Sequence, residues 1–203
     1  NKVYPAICKR LGVPLKKVGA LVVGNDLQAV HNLYNRGINN GVKNLFVLNR
    51  DELLKLEPNL SESVSCGLFA KDAYIVSPYL YTICLTEEGI INGGEVLLNT
   101  QVVKVVKKSN VYKLSTTFGE YYTNKIVNCA GAGFNDVAKV LGTEPIDLQF
   151  RRGEYYVLDS TEANLVKHTI FPLPSKEKGK GVLVTPTIDG NILVGPTSEP
   201  SDD

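Results

Sequence analysis

The N-terminal part of the chain alternates short apolar runs with segments of helical periodicity. The run GALVVG at 19–24 predicts a buried strand, and Asp26 is expected to cap the helix that follows it. A second strand is predicted at 44–49. Asn49, followed three residues later by Glu52, is typical of a capping box at the start of a short helix. The pattern therefore predicts strands and helices in alternation.

The middle of the chain has a different order of elements. Ser77 and Pro78 predict the start of a helix that is apolar nearly all round in its first half and is expected to be covered on most sides. A parallel strand is predicted at 95–99, then a three-strand meander, then a return strand ending near 129. This order is typical of flavoproteins built on a dinucleotide-binding sheet.

The last quarter of the chain predicts an antiparallel sheet. Its strands are expected in the runs LQFRRGEYYVLD, KHTIFPLP, GVLVTPTI and NILVGPT, which are separated by turn-forming or charged residues such as SKEKGKG. The predicted fold class is therefore α/β plus α+β.

Composition narrows the function classes. The 203 residues carry 22 basic and 21 acidic side chains, and a net charge of +1 argues against nucleic acid as a partner. No apolar stretch approaches the ~20 residues of a membrane span, so we expect a cytoplasmic protein, with peripheral membrane association of the parent left open. The four cysteines form no CxxC pair, and no metal site is predicted.

The two ends of the sequence do not have the pattern expected at the ends of a domain. The chain contains no methionine, and its first residues have the pattern of a helix interior running into a loop. We therefore expect an internal segment of a longer protein.

Three segments are candidates for chemistry. The run KIVNCAGAG at 125–133 places small residues after a predicted strand, which permits close approach of a dinucleotide but is also common in α/β proteins. Arg151 and Arg152 open a strand and are expected on opposite faces, as an anion site or a surface pair. The sequence Gly-Pro-Thr at 195–197 is either an ordinary turn or a backbone surface for a flat ring.

In order and spacing, five segments together resemble the D-amino-acid-oxidase-like superfamily of FAD-dependent oxidoreductases. They are AYIVSPYLY, LLNTQVVKV, IVNCAGAG, FRRGEYYVLD and VTPTIDGNILVGPT. The likeness is closest to anaerobic-type bacterial glycerol-3-phosphate dehydrogenases and to L-2-hydroxyglutarate dehydrogenases. It implies a substrate-domain segment at 1–62, a partial FAD-binding dinucleotide fold with a β-meander at 63–145, and a mixed or antiparallel substrate-domain sheet at 146–203.

The resemblance also implies roles for flavin-side residues. The backbone of Val102 would contact the adenine of FAD, and Ala130 with Gly131 would lie near the pyrophosphate. The turn formed by Gly195, Pro196 and Thr197 would approach the isoalloxazine ring.

The substrate-side roles follow from the same resemblance. Arg152, with Arg151 as the rival, would bind a small anionic substrate, and Tyr156 is a further candidate for the pocket. No general base is assigned by the sequence.

The implied function belongs to the parent protein. We expect oxidation of sn-glycerol 3-phosphate to dihydroxyacetone phosphate by hydride transfer to FAD, with L-2-hydroxyglutarate as the alternative substrate and an unassigned electron acceptor. A stand-alone, non-enzymatic binding domain is the alternative from another class. The chain has no GxGxxG segment, so by itself it is expected to bind little or no FAD and to be inactive.

Overall fold

A computed structural model describes residues 2–174 and 181–201. Most of the charged loop SKEKGKG, residues 175–180, lies outside the described residues. The described helices are α1 (Tyr4–Leu11), α2 (Leu27–Asn39), α3 (Arg50–Leu56), α4 (Pro78–Ile91) and α5 (Phe134–Leu141). The described strands are β1 (Leu15–Lys17), β2 (Ala20–Gly24), β3 (Leu45–Asn49), β4 (Cys66–Ala70), β5 (Tyr74–Val76), β6 (Val102–Lys108), β7 (Val111–Thr116), β8 (Glu120–Thr123), β9 (Arg151–Arg152), β10 (Tyr156–Leu158), β11 (Thr169–Pro172), β12 (Leu183–Pro186), β13 (Ile192–Gly195) and β14 (Glu199–Pro200).

The chain divides into two compact units. The first contains Asn1–Ile91 and Arg152–Glu199, and the second contains Asn92–Arg151 and Pro200–Asp203. The three-segment division at 62 and 145 stays a prediction about the domains of the parent protein.

The first unit is built on a seven-stranded mixed sheet in the order β10-β13-β12-β11-β2-β4-β3. Strand β11 runs parallel to β2, whereas the other neighbouring pairs are antiparallel. The predicted mixed and antiparallel sheet is thus confirmed. A second, two-stranded sheet pairs β1 with β5.

The core of this unit follows from the alternation of side chains along its strands. Leu21 and Val23 of β2 point to one face and pack with Leu53 of α3. On the other face, Leu68 of β4 packs with Val30 of α2. Leu21, Leu53 and Val30 are all fully buried, and burying such a side chain contributes about 1.5–3 kcal/mol. Helices α2 and α3 therefore cover opposite faces of the sheet.

Local capping sets where these two helices begin. The Asp26 carboxylate accepts a hydrogen bond from Ala29 N at 2.9 Å. At α3, Glu52 N donates to Asn49 Oδ1 at 3.0 Å and Asn49 N donates to Glu52 Oε2 at 2.9 Å, which completes the capping box. Both caps that the sequence predicts are confirmed.

Helix α4 differs from its expected environment. Ser77 Oγ accepts from Leu80 N as predicted, but α4 has no buried residue and Tyr79 is 77 % exposed. Within this unit it packs against α1, where Tyr4 and Tyr81 stack with ring centroids 5.2 Å apart. The apolar sequence of α4 predicts burial, but the residues of a helix do not specify which surface packs against it.

The second unit contains the meander. Strands β6, β7 and β8 form a three-stranded antiparallel sheet, which confirms the predicted β-meander, and α5 packs against β6. The predicted parallel strand at 95–99 and return strand at 125–129 are not strands in the structure. A strand exists only where a neighbouring strand accepts its hydrogen bonds, and neither segment has such a neighbour among the described residues.

A surface cluster at Asp72 predicts a pH effect on stability. Hydrogen bonds from Lys17, and then from Asn44, hold the pKa of the Asp72 carboxyl below its ordinary value of 3.8. A carboxyl whose pKa is lower in the folded protein than in the unfolded chain stabilises the fold above pH 3.8. That stability is lost as the pH falls through the pKa of the folded protein. Asp72→Asn should therefore lower the thermal midpoint at neutral pH but not at strongly acidic pH.

Thermal unfolding of the wild type and of Asp72→Asn, measured from neutral to strongly acidic pH, tests this prediction. Asp189→Asn, at an exposed turn position between β12 and β13, is the matched control and should not show the pH-dependent difference. A difference for Asp72→Asn that is the same at all pH values would contradict the assignment.

Candidate functional site

The segments RRGEYYVLD and ILVGPT lie side by side in the first unit. Strand β10 pairs with β13 in antiparallel register, with Tyr156 opposite Val194 and Leu158 opposite Ile192. This register brings residues 153–155 against the turn at 195–197. Two of the five segments that carry the sequence resemblance therefore form one structural feature.

Reciprocal hydrogen bonds fix this feature. Thr197 N donates to Glu154 O at 3.0 Å, and Glu154 N donates to Thr197 Oγ1 at 3.0 Å. The peptide bond between Gly195 and Pro196 is cis. The predicted single strand FRRGEYYVLD is divided into β9 and β10, because residues 153–155 contact this turn instead of continuing a strand.

Two glycines make the close contact possible. A Cβ on Gly153 would lie 2.9 Å from Pro196 Cβ. Gly195 has a φ of +151°, and a Cβ there would lie 2.7 Å from Glu154 O and 2.7 Å from Tyr155 Cδ1. Any side chain at Gly195 would collide with backbone, so glycine is needed at this position.

The candidate substrate side lies beside this turn. Arg152 is exposed; its Nη2 donates to Glu199 Oε2 at 3.1 Å and its Nε lies 3.5 Å from Glu154 Oε1. Arg151 is also exposed, and strand alternation directs it to the opposite face. Tyr156 is 78 % exposed, so it is available to line a pocket.

The other flavin-side candidates lie in the second unit. Val102 is partly buried at the start of β6 and pairs with Thr116. Ala130 N donates to Asn128 Oδ1 at 3.2 Å. Gly131 has a φ of +57° and open space where a Cβ would stand, and it begins a short 3-10 turn that leads into α5. The small residues are thus followed by a helix, as the sequence predicts.

Sequence reasoning missed one buried polar site. Glu57 is the buried charged residue of the described chain, at 1 % exposure. Its Oε1 accepts from Lys167 N at 2.8 Å and His168 N at 2.7 Å, and His168 Nδ1 lies 2.6 Å away. Glu57 and His168 are 111 residues apart, and no local signal in the sequence connects them.

A separate cavity lies at the carboxyl ends of β2 and β3. Its volume is about 330 Å³, and none of the predicted site residues lines it. The lining residues are Leu27, Val47, Leu48, Asn49, Glu52, Ser65 and Cys66.

The described part of the chain holds neither a metal-binding cluster nor a membrane-spanning helix. Within it, no group of three or more His, Cys, Asp or Glu side chains is arranged to hold a metal ion. No described helix has the length and apolar character required to cross a membrane.

The mixed sheet and the meander match the fold of FAD-dependent oxidoreductases. A solved L-alpha-glycerophosphate oxidase from Mycoplasma pneumoniae with FAD bound superimposes with a TM-score of 0.85 at 28 % identity, over 94 % of this chain and 52 % of that one. The family model of the FAD dependent oxidoreductases (DAO) matches residues 1–203. The chain belongs to this family.

Two relatives within this family have different substrates in their names. A glycerol 3-phosphate dehydrogenase from Caloramator mitchellensis is 40 % identical over 98 % of this chain and 42 % of its own length. An L-2-hydroxyglutarate dehydrogenase from Escherichia coli K12 is 30 % identical over 98 % of this chain and 48 % of its own length. The chain thus spans about half the length of the relatives that it matches.

Proposed function

We propose that the parent protein of this chain oxidises sn-glycerol 3-phosphate to dihydroxyacetone phosphate, with FAD as the hydride acceptor. The observation that carries the proposal is the 40 % identity to a glycerol 3-phosphate dehydrogenase over nearly the whole chain. The alternative substrate, L-2-hydroxyglutarate, is supported by relatives of lower identity.

The residues present suit a flavin on two counts. Gly131 exposes backbone with no side chain in the way, directly before α5, and such backbone can donate to a pyrophosphate. The 195–197 turn presents a rigid backbone surface, held by the Thr197 and Glu154 hydrogen bonds. We propose that Val102 and Ala130 with Gly131 contact the nucleotide part and that the turn contacts the ring. When bound, FAD supplies the redox chemistry.

On the substrate side, Arg152 binds the anionic group and holds the substrate in one orientation. A guanidinium can donate two parallel hydrogen bonds to a phosphate, which fixes direction as well as affinity. We propose Tyr156, which is exposed on the next strand, as a further residue of the substrate pocket.

Turnover by the full-length protein tests the proposal. With an artificial electron acceptor, sn-glycerol 3-phosphate should be oxidised with a higher kcat/KM than L-2-hydroxyglutarate. Turnover of the hydroxy acid alone would replace the first substrate by the second, and failure with both would refute the proposal.

Variants of the two arginines test the assignment of the anion site. Arg152→Gln should raise the KM for sn-glycerol 3-phosphate about tenfold or more, because a hydrogen bond to a charged group contributes about 1.5–3 kcal/mol. Arg151→Gln is the matched control and should change KM little. The reverse result would assign the anion to Arg151.

The isolated chain gives a separate test. It contains no GxGxxG segment, and we propose that most of the FAD affinity of the parent comes from elsewhere in the protein. Purified alone, residues 1–203 should be colourless, and a bound flavin absorbance band would contradict this.

A further inference from the structure

The guanidinium of Arg152 lies between two carboxylates of the protein. Its Nη2 donates to Glu199 at 3.1 Å, and its Nε lies 3.5 Å from Glu154. Nε and Nη2 form one edge of the planar guanidinium, and that edge suits an anion with two oxygens. Groups of the protein therefore occupy an edge that an anionic ligand would use.

These contacts are open to exchange. The side chains of Arg152, Glu154 and Glu199 are 65 %, 62 % and 56 % exposed, respectively. Exposed ion pairs are weak and screened by salt, so a competing anion can displace one carboxylate at little cost. The backbone hydrogen bonds between Glu154 and Thr197 stay in place when a side chain leaves.

The charge of the cluster opposes an incoming anion. One guanidinium and two carboxylates leave a local net charge of −1 from these three groups. An approaching phosphate or carboxylate must replace one acidic side chain and is repelled by the other. Because Glu199 makes the shorter contact, its carboxylate is the main competitor.

We propose that Glu199 determines substrate affinity by competing with the anionic substrate group for Arg152. The inference rests on the proposed function, in which Arg152 binds that group. On binding, the Arg152–Glu199 ion pair is replaced by an Arg152–substrate ion pair, and the Glu199 side chain moves into solvent. Glu154 acts in the same way through its longer contact.

Steady-state kinetics of the full-length enzyme test the competition. Glu199→Gln should lower the KM for sn-glycerol 3-phosphate about two- to fivefold, the range expected from the loss of one exposed ion pair, and leave kcat unchanged. Glu154→Gln should have a smaller effect. Glu62→Gln, an equal charge change in an exposed loop, is the control. A KM that is unchanged or raised by Glu199→Gln overturns the inference.

A binding measurement separates this inference from the proposed function. Inorganic phosphate should protect the wild-type protein against thermal unfolding, and Glu199→Gln should reach half-protection at about two- to fivefold lower phosphate. The double variant Arg152→Gln/Glu199→Gln should lose this gain. If the wild type does not turn over sn-glycerol 3-phosphate but the phosphate result holds, only the proposed function fails. Equal half-protection in wild type and Glu199→Gln, or no protection in either, overturns the inference.

Discussion

Replacement of Glu57 by leucine is expected to lower the free energy of unfolding by about 3–5 kcal/mol. The variant removes the acceptor of two backbone N–H groups and of the His168 ring, all held by one buried oxygen. A buried donor left without an acceptor retains its full desolvation cost. The loss should separate the end of α3 from the start of β11. Denaturant unfolding of the full-length protein measures it.

Two variants sharpen this experiment. Glu57→Gln keeps one acceptor oxygen for the backbone and should lose less, about 1–2 kcal/mol. Glu62→Leu places the same substitution at an exposed position and should stay within about 0.5 kcal/mol of the wild type. If Glu57→Leu cost no more than Glu62→Leu, the buried carboxylate would not hold this part of the fold.

Gly195→Ala is the second variant with a large expected effect, about 2–4 kcal/mol of lost stability. Gly195 has a φ of +151°, and the new Cβ would lie 2.7 Å from Glu154 O, a backbone atom that cannot rotate away. The variant should also displace the hydrogen bonds between Glu154 and Thr197. If the turn contacts the flavin as proposed, activity should fall with stability.

Gly190→Ala is the matched control for this variant. It lies in the same hairpin with a φ of +91°, but a Cβ there has open space, so it bears the backbone strain without the collision. Its expected cost is about 1–2 kcal/mol. Equal losses for the two glycines, measured by denaturant unfolding, would show that the contact with Glu154 is not the cause.

The elements that the sequence predicts well are those with local signals. The caps at Asp26 and Asn49 act over three residues, and the β12–β13 hairpin closes on the turn residues between its strands. The meander strands are neighbours in sequence and in the sheet. In each case, the residues that stabilise the element lie within or beside it.

Prediction fails where an element depends on distant residues. The segments 95–99 and 125–129 have the composition of strands but no pairing neighbour in the described chain. The burial expected for α4 requires a surface that its own sequence cannot supply. The insertion of β11 between β12 and β2 joins segments from opposite ends of the chain.

The candidate site divides in the same way. From the sequence, a family resemblance indicates Arg152 and the Gly-Pro-Thr turn. An arginine can bind an anion, and a turn with glycine and proline allows the backbone to approach a ligand closely. Only the tertiary structure shows that Glu154 is hydrogen-bonded to Thr197 and that Glu199 forms an ion pair with Arg152. It also shows the contact between the Glu57 carboxylate and the His168 ring.

The sequence by itself determines the family, the capped helices, the meander and the residue types available for an anion and a flavin. The tertiary structure decides which residues meet, because a contact between groups 47 or 111 positions apart depends on sheet order and register. Periodicity records which face of an element is apolar, whereas long-range pairing fixes what that face and its polar groups contact. For this chain, that difference separates a list of candidate residues from an arginine whose binding edge is already occupied.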